Sequence, residues 1–167
     1  MKNRKITLLI ITAIAALAFT GCQPDKIDAY VPREAGNVAS VTGTWKGVSV
    51  IQYDNDAVRK NFPYKTQDIT SVLEFTKVSL TLNSSNNQPG TFTINYGTAP
   101  AFFKLTSGNW KADNSSKIGK MELVNGTDTV RFTMGSYLLL DQNKLRIVQS
   151  KSLLGKEQVT YEFNFSK

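Results

Sequence analysis

The 167-residue chain predicts an all-β fold: an antiparallel, up-and-down barrel of about eight to ten strands with one short helix. Three observations predict it. Apolar and polar residues alternate with period two through most of residues 43–167, turn-like breaks separate the alternating runs, and a meander of that length leaves two vulnerable edges unless it closes on itself.

Each run places one face inside and one in water. Val78, Leu80 and Leu82 alternate with Lys77, Ser79, Thr81 and Asn83, and Phe92, Ile94 and Tyr96 alternate with Thr91, Thr93 and Asn95. Val130, Phe132 and Met134 alternate with Thr129, Arg131 and Thr133. At the end, Val159, Tyr161, Phe163 and Phe165 alternate with Thr160, Glu162, Asn164 and Ser166. The intervening stretches, NSSNNQPG at 83–90, residues 114–116, Asn125-Gly126, residues 141–143 and residues 154–156, are short, which favours hairpins between neighbours in sequence. The exception is DNDAVRKNFP, residues 54–63, where Asp54 is placed to cap a helical turn and Pro63 to stop it. Trp45, Phe75, Phe92, Phe132, Tyr161 and Phe163 make a large inward set, so the cavity is expected to be narrow or absent.

Ahead of the barrel, Lys2, Arg4 and Lys5 precede fifteen uncharged, mostly apolar residues from Ile6 to Thr20. That run is short for a membrane span, which needs roughly 20 residues, and has the flanks of a secretory signal peptide. Gly21-Cys22 after it resembles the lipobox of bacterial lipoproteins, which implies cleavage after residue 21 and lipidation at Cys22. Removing residues 1–21 takes away three of 20 basic and none of 13 acidic residues, so the net charge falls from +7 to +4 and a nucleic-acid partner loses its electrostatic support. With Cys22 acylated no thiol remains for a disulfide. Residues 22–42, with their prolines and mixed charge, are expected to form a flexible tether, and residues 43–167 the barrel domain.

The first strand opens Gly43-Thr44-Trp45, a second Gly-x-Trp stands at Gly108-Asn109-Trp110, and the chain ends Tyr161-Glu162-Phe163-Asn164-Phe165-Ser166-Lys167. Together with the lipobox and tether, these motifs resemble the lipocalin-like, calycin-type lipoproteins of unknown function found in Bacteroidota. The resemblance implies that Gly43 and Trp45 form the closed end of the barrel, with Arg146 or Lys167 as the basic residue stacked on the tryptophan. It also implies that the loop after the first strand folds over the open mouth, and that the protein sits in the cell envelope as an outer-membrane lipoprotein, on its periplasmic or its surface face.

The sequence contains no histidine, which removes Ser-His-Asp and Cys-His nucleophilic machinery and the usual zinc or copper ligand sets. Asp54, Asp56, Asp68 and Glu74 remain as carboxylates, but Asp54 and Asp56 suit helix capping and lack the glycine and distal glutamate of a calcium loop, and Glu74 alternates with Leu73 and Phe75, which places it on the wet face of a strand. The expectation is therefore no enzyme, no catalytic residue, no metal and no cofactor. Arg59, Lys60 and Lys65 lie among Phe62 and Tyr64, and these five are the candidate ligand-binding residues. The expected function is a membrane-anchored, non-enzymatic binding barrel for a small amphiphilic or carbohydrate-like ligand. The alternative is an interaction module with a filled barrel that serves a partner protein of the envelope. Lipidation has a direct test: Cys22→Ala is expected to move the protein out of the membrane fraction, and unchanged retention of the variant after a carbonate wash, which strips peripherally bound protein, would refute the assignment.

Overall fold

Period-two alternation becomes strand wherever both backbone edges find partners. The computed structural model describes residues 36–167; the leader, Cys22 and the first part of the tether lie outside the described residues. Among the described residues nine strands form: β1 (Gly43–Asp54), β2 (Thr66–Asp68), β3 (Ser79–Ser85), β4 (Gln88–Asn95), β5 (Ser107–Ala112), β6 (Lys120–Asn125), β7 (Asp128–Met134), β8 (Lys144–Leu153) and β9 (Lys156–Ser166). All neighbours are antiparallel, from β3 round to β9, and β9 returns to pair with β1 from Lys46↔Ser166 to Asp54↔Val159. The result is a closed, lipocalin-like barrel of eight strands, with β2 as an extra strand.

Turn chemistry sets the hairpins. Asn86 and Asn87 join β3 to β4 with φ of 50° and 56°, and Gly126 joins β6 to β7 with φ of 59°. Both tight turns need the left-handed region that asparagine and glycine tolerate. The helix α2 (Asn55–Arg59) starts where Asp54 accepts hydrogen bonds from the amides of Asp56 and Ala57. It ends before Pro63 can act. Asn61 takes φ of 54°, and the amides of Asn61 and Phe62 return to the carbonyls of Val58 and Ala57, which closes the helix as a Schellman turn.

One edge of β1 is shared between two partners. Its first half pairs with β3, from Gly43↔Leu82 to Lys46↔Ser79, and its second half with β2, from Ile51↔Asp68 to Tyr53↔Thr66. Between them residues 70–78 leave the sheet. The Asp68 carboxylate accepts from the Thr70 amide, the Val50 amide donates to the Thr70 hydroxyl, and Glu74 turns through φ of 46°. Leu73, Glu74 and Phe75 are thus a turn, not the alternating strand their pattern suggests. Phe75 drops into the core, and its carbonyl passes so close to Gly47 that a Cβ there would lie 2.1 Å away. Only glycine fits.

The closed end is built around Trp45, which is fully buried; its indole N–H donates to the Val41 carbonyl at 2.7 Å. Val41 belongs to α1 (Val38–Val41), a one-turn plug capped by Asn37, with Val38 and Val41 also fully buried. Residues 36–42, which the sequence reading assigned to the tether, are therefore folded into the barrel, because both valines complete its core. Lys167 places its ammonium 4.4 Å from the centre of the Trp45 ring. Arg146 is engaged instead with Glu162 at 3.3 Å and Asn164 at 3.0 Å.

Two stability predictions follow from this packing. Trp45→Ala removes a buried aromatic and its hydrogen bond, and is expected to cost about 3–5 kcal/mol in denaturant unfolding; a loss under 1 kcal/mol would mean that the closed end is not held there. Tyr96, whose hydroxyl donates to the Leu105 carbonyl at 2.8 Å, has its pKa pushed up to about 12 by burial. Above pH 10 the unfolded chain loses this proton first, so stability falls as pH rises from 10 towards 12. At pH 11 the wild type is expected to have lost about 1 kcal/mol more than Tyr96→Phe, each relative to its own value at pH 8.

Candidate ligand site at the barrel mouth

Cross-strand rows through β1, β9 and β8 change character along the barrel. The register aligns Gly47, Phe165 and Leu145 in one inward row and Val50, Phe163 and Ile147 in the next. Every side chain in those rows is buried. The third row is Gln52, Tyr161 and Gln149, and the fourth brings Lys151 opposite Val159. Polar groups thus enter the inward phase as the strands reach the mouth.

These residues line a recess of about 300 Å³, open to solvent, with Phe163 as its floor. Its remaining wall comes from two non-strand segments: Ile69, Val72 and Leu73 from the excursion after β2, and Phe102 and Phe103 from the β4–β5 connection. Phe102 stacks on Phe163 at 6.1 Å between ring centres with 8° between planes, and Phe103 meets Phe163 edge-on at 4.9 Å. Tyr161 lies 6.3 Å from Phe163 on the same side, and the Lys151 ammonium stands 5.4 Å from the Tyr161 ring centre. Below the floor the barrel is solid, with Phe75 and Phe132 packed on Phe163 at 5.7 and 6.2 Å.

The side chains of Gln52 and Gln149 and the hydroxyl of Tyr161 make no hydrogen bond among the described residues, and Lys151 makes no ion pair there. The arrangement can do what an amphiphilic pocket does: aromatic faces cover an apolar or ring-shaped body while amides, a phenol and one cation meet its polar end. Among the described residues no group of three His, Cys, Asp or Glu side chains is placed to hold a metal ion.

The five residues expected to bind ligand lie elsewhere. Arg59 and Lys60 are exposed on α2 and held by Asp56, at 3.3 and 2.6 Å. The hydrogen bond from Lys60, with a smaller contribution from Arg59, keeps the Asp56 carboxyl below its ordinary pKa. Phe62 is exposed, with the Lys60 ammonium 5.8 Å from its ring centre. Tyr64 and Lys65 line a neighbouring hollow of about 330 Å³ with Gln52 and Asp54, and the Lys65 ammonium donates to Asn61 at 2.9 Å. The loop that carries these five lies beside the recess, since Arg59 donates to the Glu157 carbonyl of β9 at 3.1 Å. The β4–β5 connection, not this loop, covers the aromatic floor.

A signal for Gln149 and Lys151 exists in the sequence. Both continue an apolar alternation in phase, Leu145, Ile147, Gln149, Lys151, and a polar residue in the inward phase marks where a strand leaves the core. Gln52 has none, because the phase that starts at Trp45 leads to Ile51 and only the bulge between Gly47 and Ser49 brings Gln52 inside. Phe102 and Phe103 carry no such pattern, because they act from a loop. A scan against protein-family models and a search of curated proteins each found no match to this chain.

Proposed function

We propose that the chain is a membrane-anchored, non-enzymatic barrel of lipocalin-like type that binds a small amphiphilic or carbohydrate-like ligand at its mouth, in the cell envelope. The observation that supports this reading is the convergence of Gln52, Gln149 and Tyr161, whose side-chain polar groups make no hydrogen bond among the described residues, above the aromatic floor of a recess of about 300 Å³. That volume is at the small end of ligand sites, which run from about 300 to 1,000 Å³. The solid barrel beneath Phe163 restricts the ligand to what the mouth can hold: one ring, or the end of a chain, with an acidic or hydroxylated group reaching Lys151. The leader and the Gly21-Cys22 junction support the anchor and the outer-membrane location. A second reading, an interaction module for an envelope partner, draws support from the same solid core and from the exposed apolar residues around the mouth.

Native mass spectrometry of the barrel purified from its own host is expected to show a co-purified small molecule. Tyr161→Ala and Gln149→Leu, which remove one wall and one polar contact, are expected to weaken its retention at least tenfold, about 1.4 kcal/mol each. A bare barrel in the wild type, or equal retention in both variants, would favour the interaction module.

A further inference from the structure

Eight large apolar residues are exposed among the described residues, and six of them, Val58, Phe62, Tyr64, Val72, Leu153 and Leu154, ring the mouth. The β8–β9 turn is the extreme case. Leu153 is 66% and Leu154 is 98% exposed, and Leu154 also holds φ of 52° beside Gly155 at 75°. A two-residue turn with both residues left-handed favours Asn-Gly, and in the β3–β4 and β6–β7 turns the left-handed positions are held by asparagine or glycine, Asn86, Asn87 and Gly126. Leucine here is unfavourable twice over. It is strained in the left-handed region and its side chain is fully hydrated, so neither the fold nor solubility accounts for it.

The surroundings identify what such a tip meets. Lys151 and Lys156 flank the two leucines. The loop tied to this hairpin, through Arg59 on Glu157 and Lys156 on Asp56 at 3.7 Å, adds Lys60 and Lys65 with exposed Phe62 and Tyr64. Across residues 54–65 and 151–157, five cations stand against three acids. Protruding leucines, exposed aromatic rings and flanking lysines together match the headgroup boundary of a bilayer, where aliphatic groups enter, tyrosines rest at the interface and lysines meet lipid phosphate. We propose that the mouth rim docks onto a lipid bilayer carrying anionic headgroups, with Leu153 and Leu154 entering its apolar layer. This docking is separate from the identity of the ligand in the recess.

The test uses residues 36–167, which hold the barrel's core and all its strand pairings and lack Cys22, so no lipid anchor contributes. Flotation with vesicles of phosphatidylglycerol and phosphatidylethanolamine is expected to carry the barrel, with at least tenfold weaker binding to phosphatidylcholine vesicles. The double variant Leu153→Asn, Leu154→Asn is expected to lose vesicle binding at least tenfold. Its melting temperature should be unchanged or raised, because asparagine relieves the left-handed turn. Tyr161→Ala should bind vesicles as the wild type does, which separates a failure of docking from a failure of the recess. Absence of vesicle binding in the wild type, equal binding by the asparagine variant, or a leucine-dependent dimer that ignores vesicles would overturn the proposal.

Discussion

Phe163 is where the upper half of the barrel meets itself. Its ring touches Phe75 from the excursion after β2, Phe102 and Phe103 from the β4–β5 connection, Phe132 from β7 and Tyr161 two residues away on its own strand. Each such pair adds about 0.5–1.5 kcal/mol beyond the area it buries. Phe163 also lies on β9, the strand that closes the barrel by pairing with β1 on one side and β8 on the other. Closure and loop packing are therefore coupled: β9 in register supplies the ring that Phe75, Phe102 and Phe103 share, beside their contacts with one another, with Tyr96 and with Phe132.

The same ring separates two kinds of interior. Beneath it Trp45, Phe92, Trp110 and Phe165 fill the barrel, and no polar or charged residue is buried among the described residues. Both indoles satisfy their N–H groups on carbonyls, Trp45 on Val41 and Trp110 on Asn83. Above Phe163 the inward positions turn to glutamine, tyrosine and lysine with free hydrogen-bonding groups. The functional reading and the stability of the fold thus occupy different lengths of the same strands, which lets the mouth vary while the closed end stays packed.

Rigidity around the mouth comes from electrostatics and backbone shape. Asp56 gathers Arg59, Lys60 and Lys156, joining the β1–β2 loop to the β8–β9 hairpin. These pairs are exposed and contribute little to stability, within about 1 kcal/mol each. Their role is positional: they hold the exposed aromatic and leucine residues at one end of the barrel.

How much was legible in the sequence follows from what alternation can encode. Where both faces of a strand have fixed neighbours, as in Phe92-Thr93-Ile94 or Phe163-Asn164-Phe165, period two reports inside and outside directly, and the closed antiparallel barrel could be read from residues alone. Alternation says nothing about segments that fold by turning, so Leu73-Glu74-Phe75 looked like strand. Burial of Val38 and Val41 was equally silent, since two valines in a proline-bordered stretch have no period. The recess depended on tertiary structure because its floor and cover, Phe163 and the Phe102-Phe103 pair, are about 60 residues apart in sequence. The left-handed strain at Leu154 is a property of a turn closed by ten β8–β9 partner pairs. In the alternating runs at 78–82, 92–96, 130–134 and 159–165 the sequence by itself determined that a strand forms and which of its faces is apolar, because that depends on neighbours two residues away. Only the tertiary structure decided where the mouth lies and which side chains share it, because those depend on how distant loops pack on a closed sheet.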